Sequence, residues 1–190
     1  LVAGKGHEKT QDYGKRKLFF SDEKVILHSI KYKNKFLSKD LKVNIIKEVS
    51  KSKISNKLKI NKISINSKLI KRNDVFFAIK GERVDGNKFV SEAFKKNSSL
   101  AIVNQINKNY PPSKQVKVKN TLSFLNQCSS IFRENINAKI ISITGSCGKT
   151  TLKEMMGFIL KTVSKTTYSP KSFNNKYGVP LSLFNLKQND

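Results

Sequence analysis

No apolar run in this sequence approaches the roughly 20 residues that a membrane helix needs. No N-terminal stretch has the basic-then-apolar pattern of a secretory signal either. Together these absences point to the cytosol as the expected compartment. Cysteine is scarce: Cys128 and Cys147 lie in dissimilar contexts, which excludes a disulfide framework and a metal site of ordinary ligand spacing. Methionine occurs only at Met155 and Met156. A separate gene starting anywhere in residues 1–154 would lack a methionine to start from, so the expectation is a piece of one longer reading frame. Arginine is the most telling shortage. Of 38 basic residues only Arg16, Arg72, Arg83 and Arg133 are arginine, and with 13 acidic residues the formal charge is +25. Such a charge suits polyanions in general, because basic side chains neutralise phosphates and release counterions. Sequence-reading and bidentate phosphate contacts favour the planar arginine fork, however, and the lysines here are spread along the whole chain among Asn, Ile and Ser. We read them as a solvated surface rather than a nucleic-acid interface, with a basic field that helps attract a polyanionic substrate.

What is present is an apolar fraction of 37%, clustered rather than scattered, in 190 residues. That is room for one or two domains. Residues 1–4 read as the end of a strand running into a Gly-Lys-Gly-His-Glu loop. Ser21-Asp22-Glu23 reads as the cap and acidic first turn of a helix over about 22–30. Residues 31–40 read as a lysine-rich linker. Leu41, Ile45, Ile46 and Val49 then recur at helical spacing. Short strands are expected at residues 63–65, 75–79, 100–103 and 116–118. Helices are expected around Phe89 to Phe94 and from Asn120 or Thr121 through Phe132. Strands alternating with helices in this way imply an α/β fold. Residues 140–143, Ile-Ile-Ser-Ile, read as one more strand. Leu152, Met155, Met156, Ile159, Leu160 and Val163 form the apolar register of a helix after it.

Between that strand and that helix lies Thr144-Gly145-Ser146-Cys147-Gly148-Lys149-Thr150-Thr151. Glycines permit close backbone approach to a phosphate chain, and the following helix N-terminus offers N–H donors and a favourable dipole. In such a loop the lysine, Lys149, reaches the β- and γ-phosphates and the hydroxyl, Thr150, helps hold Mg²⁺. The first glycine of the full eight-residue pattern would fall at Ile143, so this is the shorter Gly-x-x-Gly-Lys-Thr form. Cys147 is read as a small side chain at a tolerant loop position and carries no assigned chemistry.

The segment from Thr144 through Met155, with Lys153-Glu154-Met155 closing it, resembles the ATP loop of the Mur ligases, and most of all that of their D-alanyl-D-alanine-adding branch. Asn174-Asn175-Lys176-Tyr177-Gly178-Val179-Pro180-Leu181 resembles the Asn-Asn-x-x-Gly-Val-Pro segment of the same branch. Upstream, Asn66-Ser67-Lys68 and the stretch from Asp74 through Gly86 (Lys80-Gly81-Glu82-Arg83 and Asp85-Gly86 within it) resemble its substrate domain. Two departures stand out. Relatives often carry Asp-Ser-Arg where this chain has Asn66-Ser67-Lys68, and Asp-Thr where it has Asn120-Thr121; lysine keeps the charge and loses the fork. The first 35 residues tell a second story. Gly4-Lys5-Gly6-His7-Glu8, followed by Phe20-Ser21-Asp22-Glu23, resembles the C-terminal end of the diaminopimelate- or lysine-adding branch.

The resemblance implies a fused pair of ligases, with a substrate domain followed by the start of a parallel-sheet, phosphate-loop ATP domain. The implied division is residues 1–35 for the end of an upstream ligase, 36–60 for linker and start of the second, 61–110 for the domain that holds a UDP-linked substrate, and 111–190 for the start of the ATP domain. It implies ATP and Mg²⁺ as cofactors, UDP-N-acetylmuramoyl-tripeptide and D-alanyl-D-alanine as substrates, and an acyl phosphate intermediate. It implies ATP contacts at Gly145, Ser146, Cys147, Gly148, Lys149, Thr150 and Thr151, with Lys149 and Thr150 catalytic and Thr150 on the Mg²⁺. Substrate contacts are implied at Ser67, Lys68, Asn174 and Asn175, and amino-acid contacts for the upstream ligase at Gly4 and Glu8. It further implies that these 190 residues alone are inactive, and it leaves oligomeric state open. The rival readings are a folylpolyglutamate or cyanophycin synthetase, a generic phosphate-loop kinase or switch NTPase, and a basic nucleic-acid-binding module.

Overall fold

The computed structural model describes residues 10–12, 17–19, 41–55, 57–170 and 175–186. The chain divides into two units, residues 1–39 and residues 40–190. In the first, β1 (Thr10–Asp12) pairs antiparallel with β2 (Lys17–Phe19), Thr10 opposite Phe19. The helix expected at 22–30 and the linker expected at 31–40 lie outside the described residues.

The second unit is built on a parallel sheet in the order β3 (Ile63–Ser64), β4 (Val75–Phe77), β5 (Leu100–Val103), β6 (Gln115–Lys117). Its helices are α1 (Leu41–Ser50), α2 (Val90–Lys95), α3 (Thr121–Glu134), α4 (Lys149–Val163) and α5 (Gly178–Phe184). Successive strand residues point to opposite faces, and both faces are covered, which is why β4 and β5 are apolar throughout rather than alternating. Phe76, Ala78, Ala101 and Val103 form a core with Ile70, Val90 and Ala93, capped by the half-buried Phe94 and Ile106. On the other face Phe77 meets Phe124 of α3, ring centroids 6.1 Å apart. Leu125, Cys128 and Phe132 continue the buried stripe of α3. Burial pushes the Cys128 thiol far above its ordinary value, so it behaves as a small inert apolar group. Asn120 caps α3 by accepting the Ser123 N–H at 2.9 Å, as the sequence implies.

Two expectations are corrected here. The division between residues 110 and 111 falls inside the sheet: β6 pairs with β5 through Ile102–Val116, and α3 packs on α1. The four strands and the helices that cover them form one body. Second, residues 140–143 form no strand. Among the described residues no strand lies beside them, and an apolar run without a ladder partner has nothing to hold it in extended pairing. Ile140 and Ile141 are exposed.

Candidate functional site

Ligands of open parallel sheets sit at the carboxyl ends of the strands, and the candidate substrate segment is there. After β3 the chain enters a short 3-10 turn, Ser67–Leu69, capped by Asn66, whose side chain accepts the Lys68 N–H at 3.0 Å. Ser67 is buried and donates its hydroxyl proton to Glu92 Oε2 at 2.7 Å. Lys96, one helical turn beyond Glu92, donates to the Lys68 carbonyl at 2.6 Å and lies 3.9 Å from the other Glu92 oxygen. The turn is therefore gripped at two consecutive residues from α2 and its C-cap residue, while the Lys68 side chain is exposed. Neither Glu92 nor Lys96 was among the sequence candidates. Their only signal is the i,i+4 Glu–Lys spacing, which many helices carry.

After β4 the chain makes a tight loop that returns at Asp85-Gly86. A β-carbon on Gly86 would stand 2.6 Å from the Ile79 nitrogen and 2.7 Å from the Ala78 carbonyl carbon, so only glycine fits. Asp85 accepts the Asn87 backbone N–H at 2.9 Å and its side-chain amide at 2.7 Å. Those bonds, and then Lys80 and Lys88, hold its carboxyl below the usual carboxylate range. Asn87 in turn accepts the Asn104 N–H at 3.1 Å, Asn104 donates to the Lys119 carbonyl at 2.9 Å, and Thr121 donates to the Ala78 carbonyl at 3.1 Å. This network stitches together the carboxyl ends of β4, β5 and β6.

The phosphate-loop candidate forms the start of α4. Gly148 is the N-cap residue and has φ +74°, a left-handed conformation that a side chain disfavours. No side chain caps the helix, so the first-turn N–H donors are left for a ligand. Lys149 folds over the loop, its ammonium donating to the Gly145 carbonyl at 2.5 Å and the Ser146 carbonyl at 3.1 Å. Thr150 and Thr151 are exposed on the first turn, as are Gly145, Ser146 and Cys147 before it. The loop thus brings together a cation, exposed hydroxyls and free amides, the set that an extended polyphosphate needs. Among the described residues no group of three His, Cys, Asp or Glu side chains is arranged for a metal ion. A Mg²⁺ ion would take the Thr150 hydroxyl together with phosphate oxygens and water, a set suited to a small hard cation.

The Asn-Asn segment is only half described, since Asn174 lies outside the described residues, as do Gly4 and Glu8. Asn175 is exposed and caps α5, its Oδ1 accepting from Gly178 N–H at 2.8 Å and Tyr177 N–H at 3.1 Å. The oxygen being committed, the amide NH₂ is what Asn175 has left to offer, and that suits an anionic group better than a cation. α5 packs against α3, Phe184 meeting Phe132 at 5.1 Å in edge geometry. Asn175 therefore belongs to the same packed body as Ser67 and Lys68. The phosphate loop does not share this packing: Gly157 is the one buried residue of α4, and among the described residues that helix packs extensively on no other element.

Two family matches fall within the second unit. Residues 59–133 match "Mur ligase family, catalytic domain" and residues 143–190 match "Mur ligase middle domain". The gap between them coincides with the end of α3, not with residue 110. The chain is 37% identical over 131 residues to a UDP-N-acetylmuramoyl-tripeptide–D-alanyl-D-alanine ligase of Buchnera aphidicola subsp. Acyrthosiphon pisum, a match that covers 69% of this chain and 28% of that relative. In structure it resembles the UDP-N-acetylmuramoylalanyl-D-glutamyl-2,6-diaminopimelate–D-alanyl-D-alanyl ligase of Acinetobacter baumannii, with TM-score 0.66 and 32% identity over 76% of this chain and 33% of that one. It also resembles the MurF ligase of Thermotoga maritima solved in complex with ADP, with TM-score 0.56 and 30% identity over 69% of this chain and 30% of that one. The chain thus spans about a third or less of the length of these relatives. No described helix is long and apolar enough to cross a membrane.

Proposed function

Because the chain belongs to the Mur ligase family, we propose that it supplies the substrate-binding domain and the ATP loop of a D-alanyl-D-alanine-adding ligase. The substrate is UDP-N-acetylmuramoyl-tripeptide. In the proposed reaction the terminal carboxylate takes the γ-phosphoryl group of ATP, releasing ADP and forming an acyl phosphate. The amine of D-alanyl-D-alanine then attacks the acyl carbon, phosphate leaves, and an amide bond forms. A carboxylate is a poor electrophile because its leaving group would be oxide, and phosphorylation replaces that with phosphate.

The observation that carries this reading is the Lys149 ammonium held over a loop of free amides at the head of α4. Lys149 offsets charge that builds on the transferred phosphoryl oxygens. Thr150 would hold Mg²⁺, which when bound neutralises phosphate charge. Gly145, Ser146, Cys147, Gly148 and Thr151 contribute loop backbone and first-turn donors to ATP. Ser67 and Lys68 hold the UDP-linked substrate, Asn174 and Asn175 contact one of the reactants, and the Asn175 amide suits an anionic group of it. We further propose that residues 1–35 are the end of a diaminopimelate- or lysine-adding ligase, with Gly4 and Glu8 contacting its incoming amino acid, and that the enzyme works in the cytosol.

Isothermal titration of the chain with MgATP tests the central claim. Lys149→Ala removes a charge-assisted contact of the kind worth about 1.5–3 kcal/mol, so affinity is expected to fall roughly 10- to 100-fold. Equal binding by the variant, or no binding by the unaltered chain, counts against the reading. Steeply salt-dependent RNA binding that Lys149→Ala leaves untouched would favour the basic-module rival.

A further inference from the structure

Among the described strands, β3 is one of the two edges of the sheet. Its inner groups pair with β4, the Lys62 carbonyl accepting the Val75 N–H at 2.8 Å, which leaves both main-chain groups of Ile63 pointing outward. An unpaired strand edge is a liability that proteins cover. Among the described residues the cover at Ile63 is a single side chain from 122 residues away: Asn185 Oδ1 accepts the Ile63 N–H at 3.0 Å and its Nδ2 donates to the Ile63 carbonyl at 3.1 Å. One amide thus reproduces the donor–acceptor pair that a neighbouring strand would offer. Asn185 is also the residue that ends α5. At the other end of that helix stands Asn175, whose Oδ1 caps it. Between the two, Leu181 and Phe184 are buried, the latter against Phe132. On the strand side, the residues directly after Ile63 and Ser64 lead through Asn66 to Ser67 and Lys68. The two segments are therefore joined through one short helix and one amide.

We propose that Asn185 is a positioning residue that fixes Asn175 relative to the Asn66-Ser67-Lys68 turn, with α5 as the strut between them. This rests on the proposed function for the identity of the ligand at the turn, a UDP-linked molecule. The strut itself rests only on the geometry. A side-chain amide suits the task because it presents one donor and one acceptor side by side, as a strand does. Aspartate at the same place keeps the acceptor and sets a second carboxylate oxygen against the Ile63 carbonyl. Leucine keeps the bulk and loses both bonds.

Amide-resolved NMR on the whole chain tests this with uridine diphosphate as the probe. In the free chain, Asn185→Leu is expected to raise hydrogen exchange at the Ile63 amide roughly fivefold or more, with Asn185→Asp intermediate. The Val75 and Phe76 amides, which lie on the inner side, stay as protected as before and report that the sheet is folded. On addition of uridine diphosphate, shifts are expected at Ser67 and Lys68 and also at Tyr177 and Gly178. In Asn185→Leu the first pair persists and the second is lost. A merely structural role for Asn185 would not separate those two responses. Unchanged Ile63 exchange in Asn185→Leu overturns the strut, and so do Tyr177 and Gly178 shifts that survive in that variant. If uridine diphosphate moves neither pair in the unaltered chain, the substrate reading fails, and the strut stands or falls on Ile63 exchange alone.

Discussion

Lys42 shows how one residue's setting departs from anything its sequence context announces. It opens α1 among some of the most lysine-rich sequence in the chain, and by composition alone it is one more solvated cation. In the structure its ammonium reaches the Asn61 carbonyl at 3.1 Å and lies 5.7 Å from the Phe132 ring centroid. Burial pushes its pKa down to about 8, with Asp74 opposing the fall and Lys62 adding to it. Because the folded value lies below the unfolded one, the unfolded chain binds more protons between about pH 8 and about pH 10.5. Stability should rise with pH across that window. Lys42→Met keeps the stem that packs on the ring and removes the titration. Urea unfolding is expected to show the rise in the unaltered chain and a flatter profile in the variant, while parallel profiles would assign the ammonium to solvent. Other single residues were far more legible. Asn120, followed by an apolar stripe, reads as a helix cap and is one. The Gly148-Lys149-Thr150 run reads as a phosphate loop, and in the structure it stands at the head of α4 with Gly148 at φ +74°. Gly86 is marked only by the resemblance at Asp85-Gly86, because the reason only glycine fits is a backbone 2.6 Å away that belongs to the preceding loop.

Elements were legible where their partners are close in sequence. β4, β5, α2 and α3 follow from apolar runs and periodicity, because both faces of the sheet and one stripe of each helix must be apolar in a layered α/β body. α5 was not foreseen as an element. Its seven residues contain a proline and a glycine and are too few to show a period, and its stability comes from tertiary packing rather than propensity. That origin makes it testable. Phe184 is fully buried and sits edge-on to Phe132. Phe184→Ala deletes a large buried ring and leaves a cavity, a change that costs about 3–5 kcal/mol in a closed core. Denaturant unfolding should show a loss of that order, with the midpoint falling and the slope unchanged. A loss under about 1 kcal/mol would mean that α5 is not part of the cooperative unit that contains the sheet.

For the molecule as a whole, α4 sets the limit on what periodicity can say. Its apolar register reads as a buried face, and the helix forms at Lys149–Val163 as expected. Yet Leu152, Met155, Phe158, Ile159 and Val163 are between 48% and 76% exposed, with Ile140 and Ile141 exposed upstream of the loop. Periodicity tells which face is apolar, whereas burial needs a second surface, and no described element supplies one to α4. The same molecule carries a formal charge of +25, so two whole-chain forces oppose each other: apolar surface that favours association and like charge that resists it. Salt decides between them, because screening shortens the reach of the repulsion to about 10 Å at ~0.1 M and about 3 Å at ~1 M and leaves the apolar attraction in place. Sedimentation velocity should therefore show the chain shifting toward larger species as salt is raised. The neutral dye Nile red, which the charge does not attract, should brighten with the chain at every salt concentration. A double change on the exposed face, Phe158→Glu with Val163→Lys, leaves the net charge as it is and breaks the patch. It is expected to abolish most of the dye response and the salt-driven association, while thermal unfolding stays within about 0.5 kcal/mol of the unaltered chain, as for surface changes away from packed sites. Association that persists in the double variant would locate the sticky surface elsewhere, and a large loss of stability would show that the face of α4 is packed in solution.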